Sequence, residues 1–466
     1  MTAAPTPPEP VTPGVAQAPR EFAIGLHESG ARHAALPVGE LFETLPLTRR
    51  HLLAAIALFV VFAIDAWEMM IIVYTAPLIG KDFNLTPVQI GTLIGAIFVG
   101  MGLGALAWGP ICERIGRKSG IVWSMLLYGI ISLASAAAGN FALLYACRFL
   151  AGVAAAGMIV ATFPLFEELL PVKVRGKYAV YLAAGWPVGM LLALGATALL
   201  TPLGWRAILA FSSLAALWAL AVVRWTPESP YWLVGVGRQQ DAKDVIARLT
   251  DGKIVVPAER LLSVDELGKG SIIDIFKGRI LGVTLLQIAM NFTFSWGYWG
   301  LQTWLPTLLQ QRGLSLPQSY GFIALSALCM IPGYVAASFL TARIGRKWVV
   351  ITFVAISALA GFGFANAPNQ ATLYACNFIL AFFSMGAWGV WDTWLGELYP
   401  TKIRVVGYSW GVFAQRVANT AAPSVVGLLV ASASTFNMTV SFIDAFLLAT
   451  AILAIFLPET EGRDLH

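Results

Sequence analysis

Twelve stretches of mostly apolar residues dominate this sequence, and each is close to the length of a helix that crosses a bilayer. A hydrocarbon core about 30 Å thick needs about 20 apolar residues in a helix. Because lipid offers the backbone no hydrogen-bond partners, a spanning segment is a helix or part of a closed barrel, and uninterrupted apolar runs lack the alternation of barrel strands. We therefore predict an all-α integral membrane protein with twelve transmembrane helices. The predicted spans, numbered one to twelve, cover roughly residues 52 to 79, 88 to 111, 120 to 138, 141 to 166, 177 to 200, 206 to 223, 280 to 308, 318 to 341, 348 to 366, 370 to 397, 405 to 430 and 437 to 457.

The composition excludes a water-soluble globule of this size. The chain has 466 residues, of which 58% are hydrophobic and 12% charged, and its mean hydropathy is +0.75. Polar side chains are too few to cover a soluble fold. The net charge of +5 comes from Lys and Arg clustered between apolar stretches rather than along one face. This distribution argues against nucleic acid as a partner.

The residue types that metal, cofactor or hydrolytic chemistry requires do not occur within the spans in a usable pattern. The four histidines lie before the first span or at the last residue, and the four cysteines show no CxxC or zinc-ligand spacing. The P-loop motif and the metalloprotease motif HExxH are also missing. We expect no metal, no cofactor and no enzymatic activity, so a gradient would have to drive any transport.

Basic residues mark one side of the predicted membrane. They cluster after even-numbered spans, at 114 to 118, 173 to 177, 343 to 347 and 402 to 404. The positive-inside rule makes these loops cytoplasmic and places both termini there. We divide the chain into a cytoplasmic, partly disordered N-terminal tail (1–45), a first six-helix half (46–223), a cytoplasmic central loop (224–279), a second six-helix half (280–457) and a cytoplasmic C-terminal tail (458–466).

An internal repeat supports this division. The letters LYACRF at 144–149 return as LYACNF at 373–378, and IGRK at 115–118 returns at 344–347. The same offset of 229 residues carries Glu168 onto Glu397 and Arg175 onto Arg404. One register held across three separated motifs indicates two related six-helix halves. Such a repeat places a binding site between the halves, near the middle of the membrane.

The loop after span two has a recognisable pattern of charges and glycines. It contains Gly109, Glu113, Arg114 and the letters GRK at 116–118. These residues resemble the signature loop of the major facilitator superfamily, and the resemblance covers the chain from about residue 45 to the end. It implies the major facilitator fold, with twelve helices in two pseudo-symmetric halves, and transport by alternating access. The second copy departs from the pattern at Ser338 and Ala342.

Three further segments are similar to particular branches of this superfamily. The letters PESPYWL at 227–233 and PETEG at 458–462 resemble the ends of the two sugar porter halves. The letters DAWE at 65–68 resemble the paired acids in the first span of aromatic acid:proton symporters. Residues 404–416 resemble span eleven of organic anion carriers, which have an arginine at the position of Arg416.

Two acids in span one are candidates for proton coupling. Asp65 and Glu68 are three residues apart, which puts both on one helix face. A charge at the membrane centre costs about 2.5 to 3.5 kcal/mol, so each acid is expected to face a cavity, a partner or a proton. In the alternative interpretation, one acid is a structural partner of Arg148 in span four. The resemblance implies that Asp65 is the acid that works against Arg148.

Arg416, in the middle of span eleven, is the candidate for binding an anion. Its planar guanidinium suits a carboxylate, and no acid lies within four residues of it. Without a partner its burial would be expensive, so either a ligand or Asp392 of span ten must meet it. A permanent pair with Asp392 would leave the site neutral, whereas an unpaired Arg416 would hold an anion.

Other candidates for substrate binding are aromatic and amide side chains in spans five, seven, ten and eleven. Pairs of tryptophans three residues apart would form one-faced surfaces that suit a flat ring and would equally suit a cation. Helix packing accounts for each of these residues equally well. The set is Trp296, Trp299, Trp391, Gln415, Tyr181, Gln287 and Asn291.

A third group of charges lies at the predicted cytoplasmic ends of the helices and forms a candidate gate. Ordinary topology and helix capping are the alternative, but the duplicated spacing from Glu to Arg favours a gate. The group is Glu113, Arg114, Arg117, Glu168, Arg175, Glu397 and Arg404.

Together these features predict a secondary active transporter that moves a small organic anion, an aromatic or related carboxylate, by proton-coupled symport. An organic cation, drug or sugar carrier of the same fold is an alternative, and a receptor that binds a solute without moving it is another. We expect a functional monomer embedded in the lipid bilayer of a cell membrane, in bacteria the inner membrane, with a small molecule and protons as its partners.

Overall fold

The computed structural model describes residues 35–264, 272–400, 403–432 and 434–460. Helices occupy all twelve predicted spans. Spans one to four are Arg49–Asp82, Pro87–Ile115, Arg117–Ala136 and Phe141–Leu169, and spans seven to twelve are Gly278–Gln311, Leu316–Ile344, Arg346–Ala365, Gln370–Glu397, Arg404–Ala431 and Phe436–Ile455. Spans five and six are built from shorter pieces. Span five is Val172–Ala183 and Gly185–Leu200, then the 3-10 turn Thr201–Leu203, and span six is Trp205–Ser212, the 3-10 turn Ser213–Leu217 and Trp218–Trp225.

The helices are long and apolar enough for a bilayer. Within the described residues, eleven are of sufficient length and hydropathy to cross it. The remaining predicted span, number eleven, is a helix of 28 residues that carries Arg416 and two amide side chains, Gln415 and Asn419. Large apolar side chains such as Leu106, Leu199 and Leu359 are 68 to 80% exposed, as expected for a surface that faces lipid. The prediction of a twelve-helix all-α membrane fold is confirmed.

The 229-residue repeat is visible in the helix caps as well as in the sequence. Asn140 accepts a hydrogen bond from the backbone at the start of span four, and Asn369 does the same for span ten. Thr86 and Ser315, again 229 residues apart, form capping boxes with a glutamine three residues later. The two halves therefore begin equivalent helices with equivalent side chains.

The short connection before span three and its repeat before span nine depend on glycine. Gly116 has φ 99° and Gly345 has φ 87°, a region that side-chain-bearing residues rarely adopt. Beside each glycine lies a carboxylate from the end of its own half. Glu228 accepts from the backbone of Lys118 at 3.0 Å, and Glu459 accepts from the backbone of Lys347 at 3.1 Å. The acids of the two sugar-porter-like segments thus stabilise the starts of spans three and nine.

The bundle has two ends, which we call the basic end and the opposite end. The basic end carries the loops at 116 and 345 and the starts of spans one and seven, and the opposite end carries the loops at 83–86 and 312–315. At the opposite end the halves share one hydrophobic core. There the Tyr320 hydroxyl donates to the Tyr74 carbonyl at 2.8 Å, and a Cβ on Gly91 would lie 2.3 Å from the Pro423 carbonyl oxygen.

At the basic end the hydrophobic cores of the two halves are separate. One contains side chains of the first half and of the loop region 224–279 between the halves, which we call the central segment; Phe166 and Trp232 are among them. Another contains side chains of the second half, among them Phe353 and Trp394. Asp392, one and a half turns from this end of span ten, is exposed. The halves therefore meet at the opposite end and diverge toward the basic end.

The central segment packs on the first half. Its helices are Pro230–Gly235 and Gln239–Leu249, and the 3-10 turn Ile272–Phe276 leads into span seven. A two-residue strand, Leu36–Pro37, pairs in parallel with Leu262–Ser263, and the helix Val38–Thr44 follows it with three buried apolar residues. The sequence had not indicated this small addition. The predictions made for residues 1–34, 265–271 and 461–466, and for Lys402, lie outside the described residues.

Candidate functional site

Ionisable side chains lie deep inside the bundle on spans one, four and eleven. At 1.5 Å per residue, Arg416 is about 18 Å and Asp65 about 24 Å from the basic ends of their helices. Asp65, Glu68 and Arg148 have no exposed surface, and Arg416 is partly exposed. Charges at this depth require partners, because the surrounding helices and lipid solvate ions poorly.

Glu68 and Arg148 form an ion pair that is fully enclosed in the first half. A guanidinium nitrogen of Arg148 lies 3.2 Å from a Glu68 carboxylate oxygen. The other terminal nitrogen of Arg148 donates to the Ser135 hydroxyl of span three, and the Tyr128 hydroxyl faces Glu68 from the same helix. In this conformation the ion-pair partner of Arg148 is therefore Glu68 and not Asp65. That Arg148 works against Asp65 during transport stays a prediction.

Asp65, one helical turn before Glu68, has a different environment. Neither of its carboxylate oxygens has a hydrogen-bond partner among the described residues, although the side chain is completely buried. Its charged neighbours are Arg416 of the other half and Glu68 of its own helix. The two acids of span one therefore differ: Glu68 is paired within one half, and Asp65 faces an arginine across the interface.

Arg416 has no carboxylate oxygen within 4.0 Å in the part of the chain that the structure describes, although Asp65 and Asp392 are both near it. The carboxyl group of Asp392 contacts the Tyr408 hydroxyl, which projects from span eleven two turns before Arg416. Of the two alternatives for Asp392, a close permanent pair with Arg416 is not what the structure contains. The guanidinium is left with donors available at the interface between the halves.

Four of the predicted substrate-binding residues form one hydrogen-bonded network in the second half. The side-chain oxygen of Asn291 accepts from Trp391 at 3.0 Å and from Gln415 at 2.6 Å. The Asn291 amide in turn donates to the Gln287 carbonyl at 2.8 Å, and the Gln287 side-chain nitrogen has no partner among the described residues. The structure thus joins spans seven, ten and eleven immediately beside Arg416.

The tryptophans of span seven face different surroundings. Trp299 packs at the interface between the halves, with ring centroids 4.7 Å from Phe98 and 5.6 Å from Trp186. Trp296 stacks on Phe446 of span twelve and belongs to a packing cluster with alanines of span eleven. Tyr181 is half exposed and packs its ring against Tyr178.

The candidate gate residues form contacts within their own halves. Arg117 lies 3.5 Å from Glu168, and at the repeated positions Arg346 pairs with Glu397. Three members of the predicted group, Arg117, Glu168 and Glu397, belong to these two symmetric pairs, whereas Arg346 is not among the predicted residues. A gate role for the group stays a prediction.

The other gate candidates contact backbone or lie in solvent. Arg175 donates to the Leu170 carbonyl and Arg404 to the Tyr399 carbonyl, so both cap the ends of preceding spans. Glu113 and Arg114 are exposed. Capping therefore accounts for two members of the predicted group in this conformation.

Sequence reasoning missed several residues of the site. Tyr408, which contacts Asp392, stands in the segment 404–416 eight residues before Arg416, and this helical spacing could have indicated it. Tyr128 and Ser135 in span three are ordinary residues of an apolar helix, and nothing in their spacing pointed to Glu68. Asp444, buried in span twelve without a hydrogen-bond partner in the described chain, lies outside this cluster.

The twelve-helix bundle, with ionisable groups where its two halves meet, is the architecture of a multi-pass membrane transporter. The sequence profile of the Major Facilitator Superfamily matches residues 58–341, and the chain belongs to that family. This membership makes the protein a transporter and not an enzyme, and confirms the resemblance.

Related proteins match this chain along nearly its whole length. It is 30% identical to the niacin transporter NiaP of Acinetobacter baylyi, over 91% of this chain and 98% of that protein. It is 26% identical to the 4-hydroxybenzoate transporter PcaK of the same organism, over 84% and 88% of the two chains. Among solved structures, the partially occluded inward-open form of the xylose transporter XylE from E. coli has a TM-score of 0.75 at 16% identity, over 90% of this chain and 100% of that one.

Proposed function

We propose that this protein is a proton-coupled symporter that takes up a small aromatic monocarboxylate by alternating access. The observation that carries the proposal is the state of Arg416, an intramembrane guanidinium with no carboxylate oxygen within 4.0 Å among the described residues. A buried cation that its own protein leaves incompletely paired is expected to meet an anion from outside. A guanidinium binds a carboxylate through two parallel hydrogen bonds.

An aromatic ring would find a suitable surface next to this arginine. A Cβ on Gly102 would lie 3.9 Å from the Arg416 Cβ, and Phe98, one turn earlier on span two, packs against Trp299. The Trp186 indole donates to the Tyr298 hydroxyl at 3.3 Å beside the same tryptophan. A ligand whose carboxylate meets Arg416 would therefore have aromatic faces within about one helical turn, or about 5.4 Å along the axis.

The names of two relatives agree with this ligand class. One is a niacin transporter and the other a 4-hydroxybenzoate transporter, and both compounds are small aromatic rings with one carboxylate. The side-chain nitrogen of Gln287, which has no partner among the described residues, is suited to donate to a ring nitrogen or a hydroxyl. Nicotinate and hydroxybenzoates are the first substrates to test.

Asp65 is the proposed proton carrier. When its carboxyl group is protonated, Arg416 lacks a counter-charge and can bind the substrate carboxylate. When the substrate leaves, an ionised Asp65 balances Arg416, because an unpaired arginine inside the membrane is costly. Glu68 does not serve this role in the proposal, since Arg148 already balances it.

The proposed orientation has the basic end in the cytoplasm, in bacteria on the inner face of the inner membrane. The clusters at 114–118 and 343–347 support it through the positive-inside rule. The halves diverge at this end, so the conformation described here would be open to the cytoplasm. In the outward-open conformation the gate pairs Arg117–Glu168 and Arg346–Glu397 would come together across the interface. A single chain carries every residue of the proposed site, so a monomer suffices.

The test is uptake of radiolabelled nicotinate, benzoate and 4-hydroxybenzoate into proteoliposomes, with and without an inward proton gradient. The wild type is compared with Asp65→Asn and Arg416→Ala, and Asp444→Asn serves as a matched control that removes another buried carboxyl group. We expect gradient-stimulated uptake of one acid that both site variants lose and the control retains. Uptake of a quaternary amine or a hexose that survives Arg416→Ala would contradict the proposal, as would binding without any uptake or exchange.

A further inference from the structure

Three arginines from separate segments converge at the basic end, outside the transport site. Arg50 begins span one, Arg224 ends span six and Arg248 lies in the last turn of the helix Gln239–Leu249. They line an open pocket of about 150 Å³, whose other walls are Leu53, Trp225, Pro227 and Leu249. We call it the arginine pocket. The transport mechanism proposed above makes no use of it.

The arginine pocket has more positive than negative charge. Arg50 pairs with Asp251 at 2.9 Å, and Arg248 donates to the backbone carbonyl of Arg224 at 3.1 Å. In the described chain, the Arg224 guanidinium forms no ion pair. The nearby carboxylate of Glu228 is used elsewhere, because it accepts from the backbone at the start of span three.

Lys118 adds further positive charge next to Arg248. Within the described residues, Asp251 is the one carboxylate that pairs with any of the three guanidinium groups of the pocket. Gathering like charges in this way is unfavourable unless an anion compensates them, and guanidinium groups bind phosphate oxygens in a bidentate manner.

The position of the pocket indicates where the anion comes from. Exposed apolar side chains occur within two helical turns of the pocket residues on spans one and six: Ile56, six residues after Arg50, is 52% exposed, and Leu220, four residues before Arg224, is 71% exposed. Trp225 lines the pocket at the end of span six, a depth at which tryptophan commonly lies among lipid headgroups. An acyl chain can follow the apolar surface between the two spans while the phosphate lies among the arginines.

We propose that the arginine pocket binds the headgroup phosphate of an anionic phospholipid in the leaflet that surrounds the basic end. Basic pockets between helices at this depth attract anionic headgroups, and each arginine contributes to the attraction. The bound lipid would tie the start of span one, the helix that carries Asp65, to the central segment. The proposal does not depend on the identity of the transported solute.

The test is native mass spectrometry of the full chain in detergent, titrated with phosphatidylglycerol. The pocket variant combines Arg50→Gln, Arg224→Gln and Arg248→Gln. The matched control combines Lys277→Gln, Arg279→Gln and Arg343→Gln, which removes the same charge from the same end of the other half; Arg279 is the repeat position of Arg50. We expect the pocket variant to bind the first lipid at least about tenfold more weakly, and the control to stay within about twofold of the wild type.

Two further arms distinguish the source of the phosphate. Phosphatidylcholine, whose choline neutralises the phosphate, should bind the wild type and the pocket variant alike, and millimolar inorganic phosphate should not displace phosphatidylglycerol. Displacement by inorganic phosphate would overturn the lipid assignment in favour of a soluble anion. Equal loss of lipid binding in both triple variants, or no loss in either, would overturn the site itself.

The single change Arg224→Gln removes an exposed arginine that forms no ion pair among the described residues, so it tests the proposal if the triple variant fails to fold.

Discussion

Arg148 lies 3.2 Å from Glu68 and leaves Asp65, one turn earlier on the same helix, without a hydrogen-bond partner in the described chain. The two acids are equally buried, so burial does not distinguish them. Their partners do: Glu68 belongs to a neutral pair inside the first half, whereas Asp65 faces Arg416 of the second half. These environments support the proposed coupling role of Asp65 and a structural role for Glu68, and the two roles predict different consequences of neutralising each acid.

Glu68→Gln should destabilise the protein, because it leaves the Arg148 charge buried without a counter-charge. Removal of one partner from a buried pair costs about 3–5 kcal/mol. Adding Arg148→Met to Glu68→Gln removes both charges and should recover part of this loss. Thermal unfolding of purified protein in detergent measures both effects. Asp65→Asn is the control, and a loss of stability as large as that of Glu68→Gln would contradict the assignment.

Asp65→Asn should separate exchange from accumulation. The amide imitates a protonated carboxyl group, so Arg416 stays available for the substrate but no proton can be released. We expect counterflow exchange across the vesicle membrane to persist while accumulation driven by an inward proton gradient is lost. Asp444→Asn, in span twelve, should leave both activities near those of the wild type. If gradient-driven accumulation survives Asp65→Asn, another group must carry the coupled proton.

Arg416 should not be replaceable by lysine if it binds a carboxylate through two nitrogens. A hydrogen bond to a charged group contributes about 1.5–3 kcal/mol, so Arg416→Lys should lower kcat/KM by about tenfold to a hundredfold.

Tyr408→Phe tests the contact between Tyr408 and Asp392 beside Arg416. Without the hydroxyl, Asp392 is free to turn toward Arg416 and compete with the substrate, so KM should rise several-fold. Adding Asp392→Asn to Tyr408→Phe should lower KM again, and a KM that stays high would contradict this competition.

The length of the apolar stretches and the 229-residue register were sufficient to predict the fold and its symmetry. The register extends to side-chain contacts, since Arg117–Glu168 and Arg346–Glu397 are equivalent pairs. The repeated motifs are visible in the sequence itself, so the equivalence of whole helices could be predicted from it. Contacts that depend on how each helix is rotated about its axis are not recorded in this way.

Two pairs of residues show which contacts could not be predicted from the sequence. Asp65 and Glu68 share a helix face, so their spacing does not tell which acid meets Arg148; in the structure Ser135 contacts Arg148 and Tyr128 faces Glu68. Trp296 and Trp299 have the same spacing, yet one packs on span twelve and the other reaches the interface between the halves. In both cases the outcome depends on helix rotation by a fraction of a turn, which periodicity does not fix.

Gly116→Ala and Gly345→Ala should each destabilise the basic end. Both glycines have φ and ψ values that are almost restricted to glycine, at a cost of about 1–3 kcal/mol for another residue. An added Cβ would also lie 2.2 Å from a Glu228 oxygen or 2.3 Å from a Glu459 oxygen. Thermal unfolding should show a loss in both variants, whereas Gly139→Ala, with no neighbour within 4 Å, should have little effect. A stable Gly116→Ala variant would contradict the role of this turn.

Gly91→Ala tests whether close contact of spans two and eleven closes the opposite end. Its Cβ would lie 2.3 Å from the backbone oxygen of Pro423, and a backbone atom cannot move aside as a flexible side chain can. The simplest way to relieve this steric clash is for spans two and eleven to move apart, and this would shift the population toward a conformation open at the opposite end. The Tyr74→Cys reporter, buried in the shared core, should then react faster with an impermeant maleimide added at that end, and net uptake should fall.

The matched control for Gly91→Ala is Gly195→Ala, a change in span five at a position with no neighbour within 4 Å. With the same reporter and with the other cysteines replaced, it should leave both the labelling rate and uptake unchanged. If Gly91→Ala lowers uptake without raising the labelling rate, the contact stabilises the helices but does not act as a closure. Faster labelling that substrate or a proton gradient reverses would link this closure to the transport cycle, because a ligand shifts a conformational equilibrium only by binding one state more tightly.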